Sequence, residues 1–223
     1  DSPIISNISH PEVLNECREL LASFYRTIKG SDEFLRFVFL TGVSKFAKVS
    51  VFSGLNNLLD ISLSERYASL LGYTQHELET FFNEGISSLT TELNIDRDFL
   101  LTEIKRWYNG YRFSAQETLV YNPFSTLLFF SEKKLQNYWF ETGTPTFLLD
   151  LIRKNNYDIR RIQKEILSSR DFNSYDVEKI PLLPLLFNTG YLTIAEVQQP
   201  KLMQFDYLLD YPNDEVMISF LEQ

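Results

Sequence analysis

The spacing of apolar side chains divides the chain into a short α/β part and a longer helical part. From residue 9 to residue 28, apolar residues recur every three or four positions, which predicts an amphipathic helix. Ser9 and Glu12 have the spacing of a capping box at its start, and Gly30 is a typical helix end. Residues 37–40 then form a continuous apolar run, which is typical of a strand buried on both faces of a parallel sheet. A helix followed by such a strand predicts half of an α/β unit.

Beyond residue 63 the pattern becomes mainly helical, and paired start signals precede the apolar stripes. A capping residue with an acid three positions later, or a capping residue followed directly by proline, predicts a helix N-terminus. These pairs are Thr74 with Glu77, Asn122 with Pro123, and Thr144 with Pro145.

The C-terminal part predicts a helix followed by a β-hairpin. Residues 182–187 are apolar enough for a short buried helix, and residues 191–194 and 205–209 read as two strands. The polar residues 198–200 mark the expected turn between them. A helix followed by a hairpin is the outline of a winged-helix unit, and a last helix is expected to start near Asn213.

Composition indicates a folded protein and argues against several classes of partner. Hydrophobic residues make up 44% of the chain and aromatic residues 15%, well within the globular range. The net charge of −9 disfavours contact with phosphate backbones and anionic lipid. Residues 153–170 form the one basic segment that could act as a local patch, although a solvated helix face is the favoured interpretation.

The single cysteine and the absence of long apolar runs predict a cytoplasmic protein. Cys17 has no cysteine to pair with inside the chain, which fits a reducing compartment, and it is expected to be buried on the first helix. No apolar run reaches the length of about 18 residues that a membrane-spanning helix needs. We therefore expect no membrane contact.

The sequence lacks the common phosphate-binding and metal-binding patterns. Its eight glycines lie at least twelve residues apart, so neither GxGxxG nor GxxxxGK[ST] occurs. The two histidines, His10 and His76, have no second ligand at helical spacing, and no metal ligand is assigned.

Seven segments together resemble a family of bacterial proteins, the predicted AAA-ATPase-like family. In chain order they are FVFLTGVSKFAK (37–48), FSGLNNL (52–58), WYNGYRFS (107–114), YNPFS (121–125), YWFETGTP (138–145), NTGYLTI (188–194) and DYPN (210–213). Members of this family resemble P-loop ATPases, and many continue into a C-terminal domain similar to PD-(D/E)XK nucleases. The resemblance implies that the first residues follow a Walker B strand. We therefore expect the chain to be a fragment whose phosphate-binding loop lies upstream and whose nuclease-like domain lies downstream.

The resemblance also implies a nucleotide site that uses ATP and Mg²⁺ in the full-length protein. Thr41 corresponds to the position called sensor 1, where a hydroxyl orients the attacking water, although it could equally be a turn residue before Gly42. Ser44, Lys45 and Lys48 are the expected cofactor-binding residues, with solvated loop charge as the alternative for the two lysines. The chain alone is expected to lack activity and to bind no nucleotide tightly.

These expectations define a fold class and four regions. The fold class is α/β and predominantly helical, a remnant of a P-loop-type parallel sheet followed by a helical lid and a small winged-helix-like unit. The regions are a nucleotide-binding core (1–63), a lid (64–178), a winged-helix-like unit (179–211) and the start of a connection (212–223). The expected function is an ATP-dependent switch. The alternative is a helical and winged-helix interaction module that binds protein or nucleic acid without nucleotide chemistry.

Overall fold

The computed structural model describes residues 2–5, 7, 10–42, 58–139, 165–172 and 181–221. The described α-helices, in chain order, are α1 (Ser2–Ile5), α2 (Pro11–Gly30), α3 (Gln75–Phe81), α4 (Asn83–Leu93), α5 (Arg97–Tyr108), α6 (Pro123–Glu132), α7 (Leu182–Asn188) and α8 (Asp214–Leu221). The described strands are β1 (Ile166–Ser168), β2 (Thr193–Lys201) and β3 (Gln204–Asp210), and short 3-10 helices span Asp32–Phe34 and Glu65–Tyr67.

The chain divides into two units. The first unit comprises residues 1–59, 146–157 and 169–189, and the second comprises residues 60–145, 158–168 and 190–223. The four regions expected from the sequence stay predictions.

In the first unit, α2 confirms the amphipathic helix but differs from the prediction at its start and on its apolar face. His10 is the N-cap and its side chain makes no capping bond, while Ser9 lies outside the described residues. Leu14 is the buried residue of this helix, whereas Leu20 is 73% exposed. Cys17 is half-buried rather than buried. The helix therefore presents much of its apolar stripe to solvent.

The prediction of a buried strand at residues 37–40 is wrong for this structure. These residues form neither helix nor strand, and Phe37 is 78% exposed and Phe39 50% exposed. The two phenyl rings stack on each other, with centroids 6.2 Å apart and planes at 11°. A strand buried on both faces needs paired neighbours, and no described strand pairs with this segment.

In the second unit, α3 to α6 pack around one apolar core. The predicted capping box at α3 is confirmed, because the Thr74 hydroxyl accepts from the Glu77 N–H while the Glu77 carboxylate accepts from the Thr74 N–H. Asn122 caps α6 with Pro123 at the first helical position, also as predicted. The expected helix start at Thr144 and Pro145 lies outside the described residues. The core includes Leu78, Ile86, Leu89, Leu100, Ile104, Tyr108, Tyr121, Phe129 and Tyr138.

The sheet has three strands in the order β1-β3-β2, and both pairings are antiparallel. The predicted hairpin is confirmed, but its turn lies at Leu202 and Met203 instead of residues 198–200. Pro200 lies inside β2, where the register is irregular between Gln198 and Lys201. Proline lacks the N–H that a regular ladder uses, so an irregular position in an edge strand accommodates it. The third strand, β1, was not expected.

The described structure is thus a predominantly helical α/β protein with a small antiparallel sheet. Helices α7 and α8 confirm the two helices expected around the hairpin. A parallel sheet of the P-loop type and a winged-helix arrangement stay predictions. In the parts of the chain that are described, every helix is too short or too polar to cross a bilayer.

Candidate functional site

The residues expected to contact nucleotide are placed only in part. Thr41 is exposed, directly after residues 37–40, and its hydroxyl makes no hydrogen bond within the described part of the chain. Ser44, Lys45 and Lys48 lie outside the described residues. Their roles as sensor and phosphate contacts therefore stay predictions.

A second candidate site, which sequence reasoning missed, is built around Glu215 in the second unit. Glu215 is the second residue of α8 and is fully buried, with 0% of its surface exposed. Its Oε1 atom accepts one hydrogen bond from the Ser125 hydroxyl and one from the Trp139 backbone N–H, each 2.9 Å long. One carboxyl group thereby joins α8 to the first turn of α6 and to residues 138–139.

Buried tyrosines surround this carboxyl group. Tyr108 and Tyr111 are 0% and 6% exposed, and Tyr138 is 5% exposed. Burial raises the pKa of all three phenols, and the nearby Glu215 carboxylate acts in the same direction. Burial likewise raises the pKa of Glu215, and the hydrogen bonds from Trp139 and Ser125 offset part of that rise. Within the described residues Glu215 forms no ion pair.

The start of α8 is fixed by a close contact between two turns. The buried Asn213 caps α8 by accepting from the Val216 N–H at 3.1 Å, and its side-chain amide donates to the Asn109 carbonyl at 2.9 Å. Gly110 has φ +104°, and a Cβ atom placed on it would lie 1.9 Å from the Pro212 carbonyl oxygen. Only glycine fits both this backbone conformation and this contact.

Thr193 connects the same turn to the hairpin. Its hydroxyl accepts from the Arg112 backbone N–H at 2.7 Å and donates to the Gly110 carbonyl at 3.0 Å. The buried Arg112 guanidinium donates to the carbonyls of Ser114 and Gln116, at 3.1 and 3.0 Å, and also to that of Ala115. The arginine thereby orders the turn that follows it.

Five of the segments singled out in the sequence meet in this arrangement. We call it the Glu215 junction, and it contains residues from the segments at 107–114, 121–125, 138–145, 188–194 and 210–213, followed by Glu215 itself. Aromatic side chains of these segments, such as Tyr108 and Tyr121, are buried in the junction and in the adjoining core. In the described residues, these five segments therefore have a structural role.

A pocket of about 370 Å³ lies beside the junction, near the lower end of the size range of small-molecule sites. Lys105 and Arg106 from α5 and Asp210 and Asp214 from the opposite side line it, together with Leu119, Met217 and the contacting turns. Arg106 pairs with Asp214 at 3.1 Å and with Glu103 at 3.0 Å. Its charge is therefore largely compensated. Across the described ranges, no three His, Cys, Asp or Glu side chains group closely enough to hold a metal ion.

The fold and this site define a mainly helical α/β protein with a buried polar junction. Residues 1–52 match a protein family described as predicted AAA-ATPase. Over its whole length the chain is 42% identical to a protein of Azotobacter chroococcum mcd 1 described as "Uncharacterized protein in vnfD 5'region". The chain spans about 40% of the length of that relative. No solved structure matches the chain.

Proposed function

We propose that the chain is part of an AAA-ATPase-like protein that uses ATP and Mg²⁺ to drive a conformational switch. The observation that carries this proposal is the family match over residues 1–52, which includes Thr41, Ser44, Lys45 and Lys48. The relative from Azotobacter is longer than this chain, which is compatible with further domains in the complete protein.

In this proposal the first unit contributes one wall of a nucleotide site. Thr41 fits such a role because its side chain is exposed and its hydroxyl is not engaged by another described residue. Phosphoryl transfer depends mainly on positioning and on charge stabilisation, so a hydroxyl that orients the attacking water accelerates it. Ser44, Lys45 and Lys48 would contact the phosphates. The phosphate-binding loop and the Mg²⁺-binding carboxylates would come from other parts of the complete protein.

Nucleotide binding would then change the position of the helical lid, residues 64–178, relative to the nucleotide core. A ligand shifts such an equilibrium only by the difference between its affinities for the two states. The lid movement would control a partner protein or a nuclease-like C-terminal domain.

Replacing Thr41 tests the proposal in the full-length protein. We expect Thr41→Ala to lower kcat for ATP hydrolysis by about 100-fold, because a transition-state contact is lost, while ATP affinity measured by titration calorimetry changes little. Thr27→Ala is the matched control, since Thr27 is an exposed threonine of α2 whose hydroxyl donates to the Ser23 carbonyl and bonds to no other described residue. The control should hydrolyse ATP at the wild-type rate.

Two results would contradict the proposal. One is unchanged hydrolysis in Thr41→Ala. The other is a full-length protein that neither binds nor hydrolyses ATP, which would favour the interaction-module alternative. The basic segment on which that alternative depends lies largely outside the described residues, so it stays a prediction. The 223-residue chain alone is expected to show no turnover.

A further inference from the structure

We propose that Glu215 is a proton-dependent latch for α8: the helix stays docked on α6 and residues 138–139 while the carboxyl group is protonated, and it is released when that group ionises. The latch lies in the second unit and does not depend on the proposed nucleotide chemistry. It uses the Glu215 junction, in which two donors bond to one carboxyl oxygen of Glu215 and the other oxygen is buried without a described partner.

The burial of Glu215 and its unpaired Oε2 atom favour the neutral acid. The Ser125 hydroxyl and the Trp139 N–H bond to Oε1, and the Tyr138 backbone N–H also lowers the pKa of the carboxyl group. Oε2 is buried and has no hydrogen-bond partner among the described residues. A carboxylate in this position would leave a charged oxygen unsolvated, which is costly, whereas a protonated Oε2 carries no charge. Oε2 is therefore the atom that holds the proton.

The groups that face Glu215 cannot compensate its charge. Burial and the Glu215 charge raise the pKa of Tyr108 from α5, Tyr111 from the following turn and Tyr138, so these facing groups are neutral phenols. No cation among the described residues acts on Glu215. The Tyr108 hydroxyl donates to the Gln136 carbonyl at 3.1 Å, and the Tyr138 hydroxyl donates to the Lys134 carbonyl at 2.9 Å. These two protons are already used within the core, and the buried Tyr111 hydroxyl makes no bond to Oε2.

The sign of the pH effect follows from the burial of the acid. Burial raises the pKa of Glu215 in the docked state above that in the released state, where water solvates the carboxylate. Docking is therefore strongest below the released-state pKa and weakens as pH rises through the docked-state pKa. Between these two values the equilibrium constant for release increases by up to about tenfold per pH unit.

A second contact at the same end of α8 supplies a control. Asp214, the neighbouring residue, pairs with Arg106 on the protein surface, where the two side chains are 28% and 54% exposed. Such surface ion pairs contribute little to the free energy of folding and are screened by salt. Asp214→Asn therefore removes a charge next to Glu215 without removing the buried acid.

Hydrogen exchange of the full chain, corrected for the intrinsic pH dependence of exchange, tests the latch between about pH 5 and pH 9. In the wild type, the equilibrium constant for opening of the α8 amides should rise by as much as about tenfold per pH unit, while the α5 amides stay protected. In Glu215→Gln the opening of α8 should not vary with pH, because glutamine keeps the Oε1 acceptor and cannot ionise. Asp214→Asn should retain the wild-type pH dependence.

Three outcomes would overturn the proposal. The first is the same pH dependence in Glu215→Gln and the wild type, the second is parallel opening of α5 and α8, and the third is loss of the pH dependence in Asp214→Asn. If Glu215→Gln does not fold, carboxyl-carbon NMR of the wild type replaces it. One glutamate, assigned to residue 215, should then titrate above all the others. Titration of every glutamate in the ordinary range would overturn the latch.

Discussion

At the residue scale, Gly110 shows how one position fixes a long-range contact. Gly110 lies two residues after the end of α5, and its φ of +104° is a backbone conformation that residues with a side chain rarely adopt. Gly110→Ala should lower the free energy of unfolding by about 2–4 kcal/mol, because strain and a backbone clash with Pro212 combine. Urea unfolding followed by tryptophan fluorescence measures this change.

Gly30→Ala is the matched substitution for Gly110→Ala. Gly30 is the last residue of α2, and a Cβ atom there would meet nothing within 4 Å. Alanine at a compatible helical position changes stability by less than about 1 kcal/mol, usually upward. Equal destabilisation by the two substitutions would contradict the prediction, because the close contact between Gly110 and Pro212 would then make no measurable difference to stability.

At the scale of elements, the capping box of α3 should contribute measurably to the second unit. Thr74→Ala removes the acceptor for the Glu77 N–H, which should cost about 1 kcal/mol. Thr102→Ala in α5 is the control, because that exposed hydroxyl donates back to the Asp98 carbonyl, bonds to no other polar group in the described ranges, and alanine favours helix. Its unfolding free energy should equal or slightly exceed that of the wild type in urea titrations.

The same capping box has a defined pH dependence. Hydrogen bonds from the Thr74 backbone and hydroxyl lower the pKa of Glu77. The Glu77 carboxylate therefore contributes to the free energy of unfolding above the ordinary glutamate pKa, and this contribution is lost as pH falls through the lowered pKa. The stability difference between the wild type and Thr74→Ala should shrink in acid. A constant difference would mean that the carboxylate plays no part.

The comparison of sequence and structure separates local signals from long-range ones. The caps at Thr74 and Asn122 could be read directly, because each depends on residues within one helical turn. Residues 37–40 have the composition of a buried strand, yet burial depends on neighbours that sequence spacing does not specify. The turn of the hairpin lies beyond the predicted residues 198–200, because β2 continues through Pro200 with an irregular register.

The candidate site was missed for the same reason. An acid in the first turn of a helix ordinarily faces solvent, where it interacts favourably with the helix dipole. Glu215 is buried because its partners, Ser125 and Trp139, lie 90 and 76 positions earlier in the chain. The sequence indicated the segments that meet there, through their resemblance to one family, but not the residue at their centre.

At the scale of the whole molecule, net charge and exposed apolar surface act against each other. The charge of −9 keeps copies of the chain apart at neutral pH. Phe37, at 78% exposure, stacks on Phe39 in the segment of residues 37–40, which pairs with no described strand. Exposed apolar surface of this kind favours association once repulsion is removed.

We therefore expect the chain to self-associate near its isoelectric point, at about pH 4.8, and to associate much less at neutral pH. The Phe37→Ser, Phe39→Ser double variant should lower the concentration dependence of the sedimentation coefficient near that pH, because it removes the stacked pair without changing charge. Leu59→Ser is the control, since Leu59 is 78% exposed but lies outside the segment. If the double variant associates as strongly as the control, the segment of residues 37–40 is not the surface responsible, and the exposed face of α2 becomes the candidate.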